Sequence, residues 1–238
     1  MPVILNIETA TPLCSVSLAF DGRVTSQRET LEEKSHAARL TVFIEEILHS
    51  EGLKIKDLDA IAVGKGPGSY TGLRIGVSTA KGLCYGANLP LIAIGTLKTL
   101  LNQAIAGSLT QNEQAEVNEN ALFCPMIDAR RMEVFTCLYH ASGEEEETVS
   151  AKIIDRDTFS HLLDSRRIYF FGSGMDKCRQ ILAHPNAAFL EDVYPHAKAM
   201  AALSEDSYRK SQFENLAYFE PFYLKDFIAT RPKNSLHI

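Results

Sequence analysis

At 238 residues, with 45% hydrophobic and 23% charged, the chain has the composition of a folded protein long enough to bury a sizeable core. A formal net charge of −6 argues against a basic face built to hold a nucleic-acid backbone unaided. The five cysteines (Cys14, Cys84, Cys124, Cys137, Cys178) are scattered singly with no CxxC pair, which excludes zinc-ribbon and thioredoxin-like chemistry. They read as reduced core thiols of a cytoplasmic protein. The start, Met1-Pro2-Val3-Ile4-Leu5, runs straight into a strand pattern without a leader, and no apolar stretch approaches the ~20 residues of a membrane helix.

Residues 3–8 (VILNIE) form a short apolar strand, and Cys14–Phe20 alternates as a half-buried one. Asp21-Gly22 is a hairpin turn leading to a third strand at 23–29. Residues 35–50 then carry helical spacing behind Ser35, with Leu40, Ile44, Ile47 and Leu48 on one side and Val42 and Phe43 widening the stripe. A buried strand at 60–63, a helix over 70–86, a strand at 89–94 and a helix over 96–106 follow. Residues 107–120, GSLTQNEQAEVNEN, are polar and read as a linker. The opening order then returns: strands at 121–128, 132–139 and 148–154, followed by helices over 157–165, 174–183 and 195–210 alternating with strands at 168–172 and 187–190.

Two halves, 1–106 and 121–238, thus share three antiparallel-type strands followed by alternating helices and strands. This differs from uniform βαβ alternation. It predicts an α/β, duplicated ribonuclease-H-like fold of the actin-like ATPase (ASKHA) class, two subdomains with mixed sheets flanked by helices.

The densest motif is Gly64-Lys65-Gly66-Pro67-Gly68-Ser69-Tyr70-Thr71-Gly72-Leu73-Arg74-Ile75-Gly76. A Walker A loop is excluded because Lys65 precedes the glycines, and GxGxxG fails at Thr71. A GxSxG elbow around Ser69 fails because Pro67 and Thr71 occupy the glycine positions. Within the helix, Gly72, Gly76, Ala80 and Cys84 recur every four residues as a smooth ridge, while Gly82 and Gly86 put small surface on other sides. Glycine inside a helix costs about 1 kcal/mol relative to alanine, so the ridge asks for a close approach. It belongs either to the chain's own sheet or to a partner protein.

Residues 66–83, GPGSYTGLRIGVSTAKGL, resemble the signature of the TsaB (YeaZ) family of tRNA threonylcarbamoyladenosine biosynthesis proteins. ILNIETATPLCSVSL near the start and MIDARRMEVF (126–135) are similar to its other landmarks. The resemblance implies the actin-like fold and a non-catalytic scaffold subunit that stabilises a TsaD-like catalytic paralogue, with a TsaE-like ATPase in the complex. That complex transfers threonylcarbamoyl to adenosine 37 of tRNA, which this subunit meets only through the complex. The family's two leading helices pair with those of the paralogue, implying a partner face at Leu40, Phe43, Ile47, Tyr70, Gly72, Leu73, Gly76, Ala80 and Leu83, and a homodimer when alone. Replacing Gly76 or Ala80 by a bulky residue is then expected to abolish pairing and leave the fold intact.

Active members of the fold hold phosphates on glycine-bearing turns between the first two strands of each half. Here those turns are Glu8-Thr9-Ala10-Thr11-Pro12 and Asp128-Ala129-Arg130-Arg131, without glycine. Glu8 and Asp128 are either turn caps or remnants of metal carboxylates. Arg130 and Arg131 suit a phosphate, a partner carboxylate or solvent equally. The catalytic paralogue holds metal through a His-x-x-x-His pair, but His36 is followed by Leu40, so no metal site and no catalytic residue is expected. Gly172-Ser173-Gly174 stands where a nucleotide-contacting turn would. No cofactor is required, with ATP or ADP expected only at a junction with the partner. The aromatic stretch Tyr218–Lys225, in a tail near 215–238, is expected to dock on the first half. The alternative is an independent small ATPase, kinase or glycoprotease-like hydrolase on the same fold.

Overall fold

Strands β1 (Val3–Glu8), β2 (Cys14–Phe20) and β3 (Arg23–Thr30) form an antiparallel meander. Asp21 and Gly22 turn its first hairpin with φ of 50° and 74°. Two positive φ angles match the right-handed strand twist, which is why Asp-Gly suits this place. Strands β4 (Ala60–Gly66) and β5 (Leu91–Gly95) add parallel to β1, giving the order β3-β2-β1-β4-β5. Helices α1 (His36–Ser50) and α2 (Tyr70–Ala87) make the crossovers. The computed structural model describes residues 1–32, 35–109, 117, 118 and 120–225.

The second sheet repeats the plan. Strands β6 (Leu122–Asp128), β7 (Glu133–His140) and β8 (Glu145–Ile153) run antiparallel, and β9 (Ile168–Phe171) and β10 (Ala187–Leu190) add in parallel. Its order, β10-β9-β6-β7-β8, is the first sheet's order over again, so the duplicated ribonuclease-H-like α/β fold is the one observed. No helix among the described residues is long and apolar enough to cross a membrane.

The two cores are less separate than the sequence implies. Helix α3 (Thr96–Gln103) follows the first sheet, yet Leu97, Leu100 and Leu101 pack with Phe123, Tyr139 and Phe171 of the second. Conversely, the short 3-10 turn Ala197–Met200 and α6 (Ala201–Arg209) belong to the second half but cover Ile4, Ala60, Ala62 and Ile92 of the first sheet. A division at 106 and 121 therefore parts the sheets but not their cores. Of the polar stretch 107–120, residues 110–116 and 119 lie outside the described residues. The helices expected at 157–165 and 174–183 shrink to single turns, α4 (Ser160–Leu163) and α5 (Met175–Cys178). Before α4, Thr158 Oγ1 donates to Asp155 Oδ1 at 2.6 Å while accepting the Asp155 N–H, a local knot that delays the helix.

Helix α2 lies tight on the β1–β2 turn. Thr9 Oγ1 donates to the Gly72 carbonyl at 2.8 Å, and the Ser69 N–H donates to the Ala10 carbonyl at 2.7 Å. A Cβ added at Gly72 would strike the Thr9 carbonyl, and one at Gly76 the Thr9 hydroxyl, both far inside van der Waals contact. Gly82, on the other side of the helix, would meet nothing within 4 Å. Gly72→Ala and Gly76→Ala should each cost about 1–3 kcal/mol of unfolding free energy through overpacking. Gly82→Ala should gain up to about 1 kcal/mol from helix propensity. Urea unfolding of the three variants measures both effects.

Candidate functional site

The outer surface of α1 and α2 is the candidate site. Each helix buries one stripe: Leu40, Phe43, Ile44, Ile47 and Leu48 on α1, and Gly72, Leu73, Gly76, Val77, Ala80 and Cys84 on α2. The opposite sides carry Ala38, Thr41, Val42 and Glu45 on α1 and Thr71, Arg74, Ser78, Gly82 and Tyr85 on α2, all exposed. Tyr85 is 84% exposed, large for an aromatic ring with helical residues on both sides. Between the helices lies a groove of about 490 Å³, floored by Ile44, Leu48, Leu53, Ile55 and Leu83 and rimmed by Thr41, Glu45, His49 and Lys54.

This placement corrects the partner face assigned from the sequence. Leu40, Ile47, Leu73 and Ala80 are at most 1% exposed, Phe43 is buried, and Gly72 and Gly76 lie under Thr9, so none of them presents contact surface. The reason is the direction of the ridge: its small residues admit the chain's own turn. Tyr70 and Leu83 do reach the surface, half-buried. The exposed side of α2 instead carries Ser78, Gly82 and Tyr85, which the assigned face left out. Their signal was phase, because Gly82 falls off the ridge and has no packing reason to lack a side chain.

The β1–β2 turn is filled by the chain itself. Glu8 is fully buried, and one oxygen, Oε1, accepts the Ala10 N–H at 2.8 Å. Its other oxygen, Oε2, accepts from Thr96 Oγ1 at 3.2 Å, at the start of α3. Thus an amide that a phosphate would need here is taken by the protein's own carboxyl group. Burial pushes the Glu8 carboxyl up from 4.5 to about 7, against lowering hydrogen bonds from Ala10, Thr96 and Thr9. His36 bonds the Thr11 carbonyl through Nε2 at 2.9 Å and ties α1 to the same turn.

In the second half, Asp128 caps its turn by accepting the Arg130 N–H at 2.8 Å and pairs with Lys177. Arg130 and Arg131 are exposed at φ of 69° and 52°. The glycines of 172–174 answer to packing. A Cβ at Gly172 would meet the Met126 carbonyl at 2.5 Å, and one at Gly174 would meet Val134 at 2.8 Å. The adjoining hollow of about 450 Å³ holds Asp176, Glu191 and Asp192 against one cation, Arg179, which already pairs with Glu191 at 2.7 Å. That charge balance disfavours a phosphate.

One cluster bears on hydrolysis. His196 Nδ1 lies 2.8 Å from Glu29 Oε2, and Ser15 Oγ lies 3.4 Å from the same oxygen. The carboxylate stands between serine and histidine, so the imidazole has no contact with the hydroxyl it would have to deprotonate. Ser15 is 1% exposed and accepts the Ala197 N–H at 3.0 Å. The cysteines are no better placed as nucleophiles: all five are buried, and burial pushes Cys14 up to about 11 and Cys84 and Cys137 to about 12.

Glu8 gives a pH prediction. Its folded-state value lies above the unfolded one, so its contribution to stability is full below about pH 4.5 and is lost as the pH rises through about 7. The difference approaches about 3 kcal/mol. The urea midpoint should therefore fall from about pH 5 to pH 8 in the natural protein and stay flatter in Glu8→Gln.

A family model described as "TsaD: tRNA N6-adenosine threonylcarbamoyltransferase" matches residues 24–233. The chain is 32% identical over 235 residues to the tRNA threonylcarbamoyladenosine biosynthesis protein TsaB of Escherichia coli, covering 95% of this chain and 96% of that one. Its identity to TsaB of Haemophilus influenzae is 28%, over 94% and 93% of the two chains. YeaZ from Pseudomonas aeruginosa superposes with a TM-score of 0.77 at 26% identity, over 94% of this chain and all of that one. A second Pseudomonas aeruginosa structure, described as similar to peptidase YeaZ, gives 0.80 at 25% identity, again over 94% and 100%. The chain belongs to the family of that TsaD model and, within it, to the TsaB (YeaZ) group.

Proposed function

We propose that the protein is a non-catalytic scaffold subunit in the synthesis of threonylcarbamoyladenosine at position 37 of tRNA. It binds and stabilises a TsaD-like catalytic paralogue through the outer faces of α1 and α2. The observation that carries this reading is the face itself. It is low in relief at Ser78 and Gly82, edged by Tyr85, and opens onto an apolar groove. Small residues permit close helix packing, exposed aromatics anchor interfaces, and an apolar groove accepts a partner's side chains. The filled β1–β2 turn supports the absence of chemistry, as does the hydroxyl that lacks a base at Ser15.

In this reading a TsaE-like ATPase joins the complex, tRNA is met only there, and the work takes place in the cytoplasm. No cofactor is required, and ATP or ADP binds only at the junction with the paralogue. Alone at high concentration the same face pairs with a second copy.

Gly82→Glu and Ser78→Glu put a carboxylate on the face without touching the core. Each should weaken co-purification with the paralogue at least tenfold, a loss of about 1.4 kcal/mol, with a melting temperature that does not fall. Full-affinity pairing by both variants would sink the assignment. Calorimetry of the isolated chain with Mg-ATP should show neither binding nor turnover; steady hydrolysis would favour an independent ATPase.

A further inference from the structure

The segment after α6 touches both halves in succession. Its Glu214 N–H donates to the Leu91 carbonyl at 2.8 Å, beside β5. Lys81 of α2 donates to the Phe219 carbonyl at 2.9 Å, and Leu216 and Phe219 pack on the first core. The Phe222 N–H donates to the Lys65 carbonyl at 2.7 Å, at the end of β4, and the Tyr223 ring rests 5.0 Å from that of Tyr70. The chain then changes sides. Leu224 packs against the second sheet's core, and Lys225 pairs with Glu133 at the start of β7.

The crossing point matters. Lys65 is the last but one residue of β4, and Glu133 follows the turn that ends β6, so the segment passes over the carboxyl ends of parallel strands from both sheets. In open α/β sheets that is where ligands bind and where the halves of a hinged enzyme close. Neither half needs the segment for its own sheet order.

We propose that residues 214–225 are a strap that crosses this crevice and fixes the two halves in one relation, so that the open–close motion of a hinged enzyme is suppressed. The strap also seats Tyr70, whose hydroxyl accepts from Arg74 at 3.0 Å, and so holds the first turn of α2 in place.

The test measures the distance between the halves in the full-length protein. Nitroxide labels go on Ala38→Cys and Ser165→Cys, both exposed sites, while the natural thiols are buried. The parent should give a narrow distribution, and Tyr223→Ala with Leu224→Asp should broaden it about twofold. An unchanged width in that folded variant would overturn the strap. Should it fail to fold, the exposed ion pair decides. Lys225→Glu should broaden the distribution and adding Glu133→Lys should narrow it again, whereas a width indifferent to both charges would also overturn the proposal.

Discussion

The structure depends on one approach: α2 sits on the β1–β2 turn closely enough that Gly72 and Gly76 have no room for a side chain. The Thr9 hydroxyl and the Gly72 carbonyl close that contact with a buried hydrogen bond, and the Ser69 amide adds a second to Ala10. Each contributes about 1 kcal/mol net, but losing one partner would strand a buried polar group at greater cost. The glycines therefore do structural work inside the chain. Pulling one side of α2 onto the sheet also decides which side remains outside, where small Ser78 and Gly82 stand between Arg74 and Tyr85.

The same contact explains the fate of the turn. A loop meant to hold phosphate keeps its amides free and pointing outward. Here the Ser69 amide takes the Ala10 carbonyl, the Thr9 hydroxyl donates to the Gly72 carbonyl and Glu8 takes the Ala10 amide, so these groups are satisfied from within. A buried carboxyl is costly when ionised, and its hydrogen bonds recover only part of the cost, which is why its proton is held so tightly. The arrangement serves packing at the expense of pH-independent stability.

Much of this was legible in the sequence. Alternation in Cys14–Phe20, the Asp21-Gly22 turn and the return of the same order after residue 120 give the duplicated sheet. The four-residue glycine spacing announces a close helix approach. What spacing lacks is a direction, since a smooth ridge looks the same whether it meets its own turn or another molecule. Likewise α3 and α6 carry ordinary apolar stripes, and nothing local in them tells which sheet they cover. Such choices are made by long-range packing and do not leave a mark in a window of ten residues. The shortening of α4 has a related reason: the hydrogen bonds around Asp155 compete with helix at a place where apolar spacing favours it.

The exchange of covering helices has a consequence for what the molecule is suited to do. Because α3 completes the second core and α6 the first, opening the halves also exposes apolar surface, a resistance that adds to that of the strap. At about 25 cal/mol per Å² of apolar surface, even a modest opening is unfavourable. Closure around a ligand turns on a few loop or element-terminal positions that absorb the backbone change. A partner-binding surface gains from rigidity, because a face already in its bound shape loses less freedom on association. The exchanged helices therefore brace the two sheets against each other.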